Sequence, residues 1–554
     1  MNPRWRRMLS LALGVAVSLG LVATPALALS DNGTAAFNTF MNDYSNFFYD
    51  LSGNYVLTFV NDYPCSLQGT NSCTNANTNW NYWWEAHALM AILDQAQRDN
   101  AQGQVSTSTL LQDAEEMVQG TADLNSNIYN AGGMCSDNNA LDRCWNDDMA
   151  WMGLAVLRVW DMTNQSTYLN DAESLFNQIY GSYGGCSSAG VPWEVGSNGN
   201  PCQKNTAANA TAAMLGAELY LRTGTLSYLN DAENLMAFEE KYLVHSNGEV
   251  ADTVWFNSDG TVQKVTDTSG GWTYNQGAVI GAGVYLYLAE FRANRGRNYT
   301  QYLTDAQHVM SYVLSEWPNV LPKGGANGGC GFGAGGGQGD CGLFNGILIR
   351  YAQKLLDLDG QYTTLYDWLQ NNATMAYDCA DYQGLYGPDW TCNTGNAASY
   401  EPLDLSTDTS GVFVENIIHF VPEGQSVYQA ENGIHTMGVY RNATNYTGFG
   451  FLGGWNQVGQ YSEINPYEHS AGTYKLTIRY SAATGTATRD LYVNGVYEGS
   501  LSFAGTSSWS DWQTLSVNIP LNAGVNTIEV DNPGTVYLNI DKYMLSCVSG
   551  CTTY

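Results

Sequence analysis

The chain has 554 residues, more than one ordinary domain contains, so its length predicts two or three domains. Hydrophobic residues make up 44% of it, enough for large cores, whereas only 13% of the residues are charged. Acidic residues outnumber basic ones by 52 to 21, and the net charge of −31 disfavours nucleic-acid partners because like charges repel. A surface made mostly of neutral polar residues is typical of secreted proteins that handle neutral sugars.

Residues 1–28 have the pattern of a secretory signal peptide. Arg4, Arg6 and Arg7 precede an apolar run over residues 8–22, and Ala26-Leu27-Ala28 provides a small-residue cleavage site. A membrane anchor is the alternative, but the run is short and ends in small residues and a proline. We therefore expect a secreted, extracellular protein that has no membrane segment in its mature form.

Twelve cysteines fall into six pairs that are close in sequence. An even number of cysteines behind a signal peptide predicts disulfides. A zinc site is the weaker alternative, because the chain has no C-x-x-C motif and no Cys/His cluster. Proximity suggests the pairs Cys65–Cys73, Cys135–Cys144, Cys186–Cys202, Cys330–Cys341, Cys379–Cys392 and Cys547–Cys551.

Residues 31–398 have a helical pattern that contains an internal repeat. The sequence YLNDAE of residues 168–173 returns at residues 228–233, and weaker copies begin at Tyr302 and Leu110. Self-similarity at a regular spacing marks stacked units, each of which has an amphipathic helix. Apolar helices rich in small residues lie between the copies. This alternation predicts an all-α domain of the (α/α)6 toroid type, in which the inner helices point one end at a central cleft. An open superhelical array would need polar caps, which the sequence lacks.

Asp147 and Asp148 open one of these apolar helices, which carries no further charge until Arg158. Asn146 could cap the helix, and acids in its first turn would interact favourably with the dipole by roughly 0.3–1 kcal/mol each. The alternative is a glycosidase pair, since hydrolysis of a glycosidic bond takes a proton donor and a second carboxylate. Successive helical side chains diverge by about 100°, so the two carboxyls could lie about 5–5.5 Å apart, as in a retaining enzyme.

Aromatic and neutral polar residues precede or open several inner helices, where they would line the cleft. Aromatic faces stack on sugar rings, and amides and carboxylates bind hydroxyls. Core packing is the alternative for any single tryptophan, and a lone loop acid such as Asp252 is more often only solvated. The candidate substrate-binding residues are Trp145, Asn205, Asp252, Trp272, Tyr274, Asn275 and Gln276.

The helical repeat ends near residue 398, and we interpret residues 399–425 as a linker. Residues 426–554 have the alternation of short strands that is typical of a β-sandwich. An Asn494-Gly495 dipeptide between two alternating runs predicts a tight hairpin.

Several motifs in order resemble glycoside hydrolase family 76 over roughly residues 31–396. They are Asp147-Asp148 with the following apolar helix, the run Tyr168–Ala172, Lys204-Asn205, and the run Trp272–Gly277. The resemblance implies an (α/α)6 endo-α-1,6-mannanase with a retaining mechanism, in which Asp147 aligns with the nucleophile and Asp148 with the acid/base. The sequence itself does not fix which acid is protonated, although two close carboxylates must differ in pKa.

In the C-terminal segment, the runs Tyr428–Asn432, Gly448–Trp455 and Asn539–Asp541 resemble carbohydrate-binding modules of families 35 and 6, which implies a jelly-roll sandwich. In such modules an early Gln/Glu pair and a late Asp hold a structural Ca²⁺, and Gln429, Glu431 and Asp541 match those positions. Oxygen ligands suit Ca²⁺, but ordinary surface acids are the alternative. Sugar contacts lie in variable loops of these modules, and the candidates here are Trp455, Trp509 and Asn532.

These features predict a secreted, monomeric glycosidase that cleaves internal α-1,6-mannosidic bonds of α-mannan or a related neutral glycan and needs no cofactor for catalysis. A transglycosidase on the same scaffold is one alternative, and a non-catalytic polysaccharide-binding protein is another. Zinc catalysis lacks an H-E-x-x-H motif, and an α/β-hydrolase serine site lacks G-x-S-x-G.

Overall fold

A computed structural model describes residues 32–49, 54–59, 81–101, 107–125, 140–195, 199–266, 271–293, 295, 298–322, 340–358, 363–380, 384–388, 390, 404–418, 427–468 and 470–551. The predicted signal peptide lies outside these residues. Within them, no helix combines the length and apolar character that crossing a membrane would require.

Helices dominate the first three quarters of the described chain. They are α1 (Asn32–Tyr44), α2 (Tyr82–Ala101), α3 (Thr107–Asp123), α4 (Asn146–Thr163), α5 (Ser166–Gly181), α6 (Thr206–Thr223), α7 (Leu226–Tyr242), α8 (Thr273–Ala293), α9 (Thr300–Glu316), α10 (Phe344–Leu358), α11 (Thr363–Asp378) and α12 (Leu405–Ile418). Two small sheets accompany them, one of β1 (Ser45–Tyr49) and β2 (Tyr55–Phe59), the other of β3 (Gln203–Asn205), β4 (Thr253–Phe256) and β5 (Val262–Thr266).

The even-numbered helices contact one another in series. Helix α2 packs on α4, α4 on α6, α6 on α8, α8 on α10 and α10 on α12, and α12 in turn contacts α2. Small residues permit close packing, because a Cβ at Gly277 of α8 would lie 2.8 Å from the Cα of Leu348 in α10. Each odd-numbered helix packs outside this series, against one or two of its members.

The internal repeat has a structural role on the outer helices. Tyr302 at the start of α9 donates a hydrogen bond to Glu233 Oε1 of the preceding copy at 3.4 Å. Tyr228 makes the corresponding contact with Glu173, and Tyr168 lies close to Glu115. The copies at residues 168–173 and 228–233 therefore each supply a tyrosine to the unit before and a glutamate to the unit after.

The linker predicted over residues 399–425 is wrong for residues 405–418, which form helix α12. Its Leu405, Val412 and Phe413 are fully buried in the helical core. The sequence of the first half of α12 is rich in serine, threonine and aspartate, which is typical of a loop. In the structure these polar side chains are also buried. Ser406, for example, donates to Asp404 at 2.6 Å.

The C-terminal domain consists of β-strands, as predicted, and has its own core. Its strands are β6 (Val427–Gln429), β7 (Ile434–His435), β8 (Gly438–Tyr440), β9 (Phe451–Trp455), β10 (Tyr461–Ile464), β11 (Tyr467–Glu468), β12 (Gly472–Ser481), β13 (Ala487–Val493), β14 (Val496–Phe503), β15 (Gln513–Leu521), β16 (Gly524–Val525), β17 (Ile528–Asp531) and β18 (Leu538–Ser549). The predicted hairpin is present, and its Asn494 and Gly495 have φ angles of 52° and 73°. One sheet has the order β14-β13-β17-β10-β7 and the other β15-β12-β18-β9-β8, with β6 paired to β18.

Two of the predicted disulfides, Cys186–Cys202 and Cys547–Cys551, are confirmed. Three other described cysteines are also bonded, namely Cys144, Cys341 and Cys379. Their predicted partners, and both members of the pair Cys65–Cys73, lie outside the described residues.

Candidate active site

The two adjacent aspartates occupy the first turn of α4, as the sequence predicts. The expected cap is wrong, because Trp145 precedes the helix with extended backbone angles and Asn146 is its first residue. Asn146 is fully buried, and its amide donates to the carbonyl of Pro192 at 2.7 Å and to Ser182 Oγ at 3.2 Å. Asn146 thus fastens the start of α4 to the loop that precedes β3.

Three hydrogen-bond donors surround the carboxyl of Asp147. Trp193 Nε1 lies 2.9 Å and Asn205 Nδ2 lies 3.4 Å from Oδ2, while the amide nitrogen of Asp148 lies 3.0 Å from Oδ1. Burial raises the pKa of Asp147 to about 6, although these donors oppose the shift because they favour the ionised form. The three neighbouring groups all donate, so they stabilise an ionised carboxylate. None of the three could accept a hydrogen bond from a protonated Asp147.

Asp148 has a cation beside it. Arg143 Nε lies 3.7 Å from Asp148 Oδ2, and both side chains are about one-sixth exposed, at 15% and 16%. The guanidinium lies over the rings of Tyr82 and Trp145, 5.0 and 5.2 Å from their centroids. Asp148 therefore lies in a different environment from Asp147, and two such environments suit a pair of carboxyls with different tasks.

The loop that carries Trp193 is held by a buried lysine. Lys204 in β3 is fully buried, and its ammonium donates to the carbonyls of Ser188, Ala189 and Gly190 at 2.9, 2.7 and 2.8 Å. The Cys186–Cys202 disulfide closes the same loop. These contacts place the indole of Trp193 on Asp147.

Asp252 is hydrogen-bonded rather than merely solvated. Its Oδ1 accepts from Tyr274 Oη at 3.0 Å and from Asn275 Nδ2 at 3.1 Å, and its Oδ2 accepts from Thr253 Oγ1 at 2.8 Å. The ring of Tyr274 stacks on Phe344 with 4.0 Å between centroids. This fixed, partly exposed carboxylate remains a candidate for binding a sugar hydroxyl.

Of the other candidates, Trp145 and Asn205 lie beside the aspartates, and Trp272 packs on Phe344 with 5.5 Å between centroids. Asn275 and Gln276 have no exposed surface, so the prediction that they contact substrate directly is wrong. Gln276 uses its amide on the backbone of Val250, which it contacts at 3.2 Å through both Nε2 and Oε1. The two amides instead position the segment that ends in Asp252.

Sequence reasoning missed Trp193 and Arg143. Both lie outside regular helices, where hydrophobic periodicity carries no information. The bracketing cysteines of the 186–202 loop were the one available signal for Trp193.

The residues proposed for Ca²⁺ converge around residues 447–449. Thr447 Oγ1 donates to Gln429 Oε1 at 2.9 Å, and the amides of Thr447 and Phe449 donate to Asp541 Oδ1 and Glu431 Oε1 at 2.6 and 2.8 Å. Glu431 Oε2 is buried without a hydrogen-bond partner, and burial raises the pKa of Glu431 to about 8. Three side chains that offer oxygen ligands, one of which is the buried carboxylate of Glu431 with an unpaired oxygen, fit a hard cation.

Two predicted sugar contacts of the C-terminal domain are wrong. Trp455 and Asn532 are both fully buried. The indole of Trp455 donates to the carbonyl of Gln460, and the amide of Asn532 donates to that of Gln457, each at 2.9 Å. Trp509 is partly exposed in the segment between β14 and β15 and stays a candidate.

Comparison with solved structures identifies related helical enzymes. The α-1,6-mannanase of Salegentibacter is 26% identical with a TM-score of 0.53, and the match covers 70% of this chain and 98% of that enzyme. An inactive variant of the same enzyme in complex with α-1,6-mannotriose shares the fold at 24% identity and a TM-score of 0.53, covering 71% of this chain and 100% of the other.

Curated relatives match over shorter stretches. A mannan endo-1,6-α-mannosidase of Saccharomyces cerevisiae is 30% identical over 153 residues, which are 26% of this chain and 33% of that protein. An isomaltosyltransferase of Sporosarcina globispora is 29% identical over 153 residues, 27% of this chain and 13% of that protein. The chain thus spans a third or less of the length of these two relatives.

Family models cover nearly all of the described chain. The model of carbohydrate-binding module family 35 matches residues 426–548, and that of glycosyl hydrolase family 76 matches residues 48–426. Since the latter spans well over half of the sequence, the protein belongs to glycosyl hydrolase family 76.

Proposed function

We propose that this protein is a secreted, monomeric endo-acting hydrolase that cleaves α-1,6-mannosidic bonds of α-mannan with retention of configuration. The single observation that carries the proposal is the paired Asp147 and Asp148 in the first turn of α4, with Trp193 and Asn205 donating to Asp147. Membership of the family and the likeness to an α-1,6-mannanase support the choice of substrate.

The fold proposed for the catalytic domain is a closed (α/α)6 toroid. The contact of α12 with α2 supports closure, because it joins the last inner helix to the first. For the C-terminal domain we propose a jelly-roll sandwich, which the two separate sheets support.

Asp147 acts as the nucleophile in this mechanism. Its three neighbours are donors, so it enters the reaction ionised and attacks the anomeric carbon. Asp148 donates its proton to the departing glycosidic oxygen, and a glycosyl ester on Asp147 forms as that bond breaks. Asp148 then removes a proton from water, which attacks the anomeric carbon, breaks its bond to Asp147 and releases the carboxylate.

Azide rescue tests both roles. On a substrate whose leaving group needs no protonation, such as a mannooligosaccharyl fluoride, the Asp148→Ala variant should regain activity with azide and release an α-mannosyl azide, because the covalent intermediate still forms. Asp147→Ala should give the β-azide, because azide then replaces the missing nucleophile. The proposed assignment fails if the two products are exchanged, and the pair itself fails if both variants keep wild-type release of reducing sugar.

A transglycosidase is the second candidate, because the same intermediate can pass its sugar to another sugar. The local likeness to an isomaltosyltransferase favours keeping it. Incubation with mannan and an excess of a labelled acceptor separates the two, since hydrolysis yields only shorter products and transfer yields labelled longer ones.

The C-terminal domain is proposed to hold the enzyme on polysaccharide, with a structural Ca²⁺ bound by Gln429, Glu431 and Asp541. Tethering raises the local concentration of the catalytic domain on its substrate. Its family match supports the carbohydrate ligand. Secretion, the last part of the proposal, is supported by the disulfides.

A further inference from the structure

The three-stranded sheet β3-β4-β5 beside the aspartates has two unlike faces. On one face the buried side chains of Lys204, Val254 and Phe256 pack towards Phe238 at the end of α7. The other face carries alternate residues of the same strands. Asn205 and Thr253 are buried on it, whereas Gln203, Trp255, Lys264 and Thr266 keep solvent-exposed surface, and we call it the open face. The sheet is therefore fully covered on one side only.

The open face begins at the catalytic pair. Asn205 of β3 lies on it, because its amide reaches Asp147 Oδ2 at 3.4 Å. Asn205 is paired in register with Thr253 of β4, and Gln203 is paired with Trp255. Since a strand advances about 3.3 Å per residue, Trp255 lies about 7 Å beyond Thr253 along the sheet.

Trp255 forms a small platform with its cross-strand neighbours. Lys264 of β5 is paired with Trp255, and its ammonium lies 4.9 Å from the centroid of the indole. On the other side of β4, Gln203 of β3 is paired with Trp255. Gln203 and Trp255 are half-buried, and Lys264 is exposed. We call Gln203, Trp255 and Lys264 the Trp255 shelf.

The shelf adjoins the catalytic loop without a break. The amide of Trp193, whose indole contacts Asp147, donates to the carbonyl of Gln203 at 2.9 Å. A chain of sugars that lies across Asp147 and follows the open face would therefore meet Trp193 first and the shelf next.

We propose that the Trp255 shelf is a distal subsite that binds one neutral hexose residue of the glycan, with the sugar ring stacked on the indole. This inference rests on the proposed function, and it adds a place at which the glycan chain is bound away from the scissile bond. An aromatic face suits the apolar face of a sugar ring, and Gln203 and Lys264 supply an amide and an ammonium within reach of hydroxyl groups. Lys264, an exposed and flexible side chain, is free to move off the ring when the sugar binds.

The test compares substrates of different length in the full-length protein. Trp255→Ala should lower kcat/KM by about five- to tenfold for long α-1,6-linked mannooligosaccharides, mostly through KM, because they reach the shelf. The shortest oligosaccharide that wild type cleaves should be hydrolysed at an unchanged rate. Trp255→Phe should restore most of the lost affinity. Tyr377→Ala, which removes an exposed aromatic from α11, serves as the matched control and should leave kcat/KM unchanged for both the long and the short substrate.

The proposal is overturned if Trp255→Ala affects short and long substrates equally, because that result marks a structural role, or if it affects neither. Unfolding temperatures within the error of wild type exclude misfolding of the variant, and Trp255→Phe keeps the comparison valid if Trp255→Ala is unstable. If wild type cleaves no α-1,6-mannan, the proposed function fails instead. The comparison of long and short substrates is then made on the glycan that wild type does cleave. The proposal for the Trp255 shelf is again overturned if Trp255→Ala affects short and long substrates equally, or if it affects neither.

Discussion

The indole nitrogen of Trp193 lies 2.9 Å from Oδ2 of Asp147 and donates to it from a loop, not from the helices that build the domain. An indole N–H can only donate, so this contact stabilises the ionised form of the carboxyl and lowers its pKa. Trp193→Phe should therefore raise the pKa of Asp147. We expect kcat/KM to fall by about 10- to 100-fold, as for loss of one charged hydrogen bond, and its acid limb to move to higher pH.

The pH profile of kcat/KM on an α-1,6-mannooligosaccharide measures both effects. Trp160→Phe, at the other end of the same helix, is the matched control and should leave the profile in place. A Trp193→Phe enzyme with a lowered rate but an unmoved acid limb would show that the indole does not act through the ionisation of Asp147.

Regular patterns in the sequence predicted the part of the site that regular elements build. Asp147 and Asp148 were predictable because they interrupt an apolar run, and the repeat was visible because Tyr302 and Glu233 must recur together to make their contact. Trp193 was not predictable in this way, because its position depends on where a folded loop meets the start of α4.

Errors about buried polar groups had a common cause. Gln276 and Asn532 were interpreted as sugar contacts, since an amide in a sequence looks the same whether it binds a ligand or the backbone of its own chain. Helix α12 was missed for a related reason, because Ser406 and its polar neighbours satisfy one another inside the core. Sequence composition reports polarity, but it does not report which partner satisfies it.

The stability of the protein should depend on pH through Asp147. Its pKa rises from 3.8 to about 6 in the folded state, so folded protein holds this proton more tightly than unfolded protein does. The resulting contribution to stability is present below about pH 4 and is lost as pH rises through 6. Because the side chain is partly exposed, we expect a loss of about 1–2 kcal/mol.

Urea unfolding at pH 4 and pH 7 checks this sign. Between pH 4 and pH 7, wild type should lose the contribution of about 1–2 kcal/mol that Asp147 makes to the unfolding free energy. Asp147→Asn has no such group to titrate, so its unfolding free energy should change by that much less in the destabilising direction. Asp367→Asn, at an exposed site on α11, should follow wild type. Parallel behaviour of wild type and Asp147→Asn would contradict the raised pKa.

Replacement of Lys204 should loosen the loop that carries Trp193. Lys204→Met keeps a long apolar stem but leaves the buried carbonyls of Ser188, Ala189 and Gly190 without their shared donor. We expect a loss of about 3 kcal/mol in unfolding free energy together with a fall in kcat/KM. Lys241→Met, which removes an exposed lysine from α7, is the control. Equal stability of the two variants would refute the role of Lys204 in holding the loop.

Calcium should stabilise the C-terminal domain. If Glu431 and Asp541 hold the ion, a concentration one hundred times Kd adds about 2.7 kcal/mol to the unfolding free energy. Calorimetry of the full chain in Ca²⁺ and in chelator should show one transition that shifts upwards with the ion. Glu431→Gln should lose that shift and the exposed Glu498→Gln should keep it. An identical thermogram of wild type in both buffers would exclude the site.

Asp94 in α2 should be essential for the stability of the helical domain, because it neutralises two arginines from other helices. Its Oδ1 accepts from Arg158 of α4 at 2.8 Å and from Arg350 of α10 at 3.2 Å, and its side chain is 9% exposed. Burial opposes ionisation of Asp94, but the two guanidinium charges lower its pKa overall. Asp94→Asn removes the only negative charge in these two ion pairs and leaves two cations beside each other in a desolvated site.

A broken buried ion pair costs about 3–5 kcal/mol, far more than the pair contributes when intact, because the remaining charge is stranded. Asp94→Asn should therefore lower the unfolding temperature of the helical domain by several degrees, while the C-terminal transition stays in place. Asp378→Asn, at an exposed position on α11, controls for loss of one negative charge. Since α2 and α10 lie on either side of α12, a loss of less than about 1 kcal/mol would mean that packing of α12 alone holds them together.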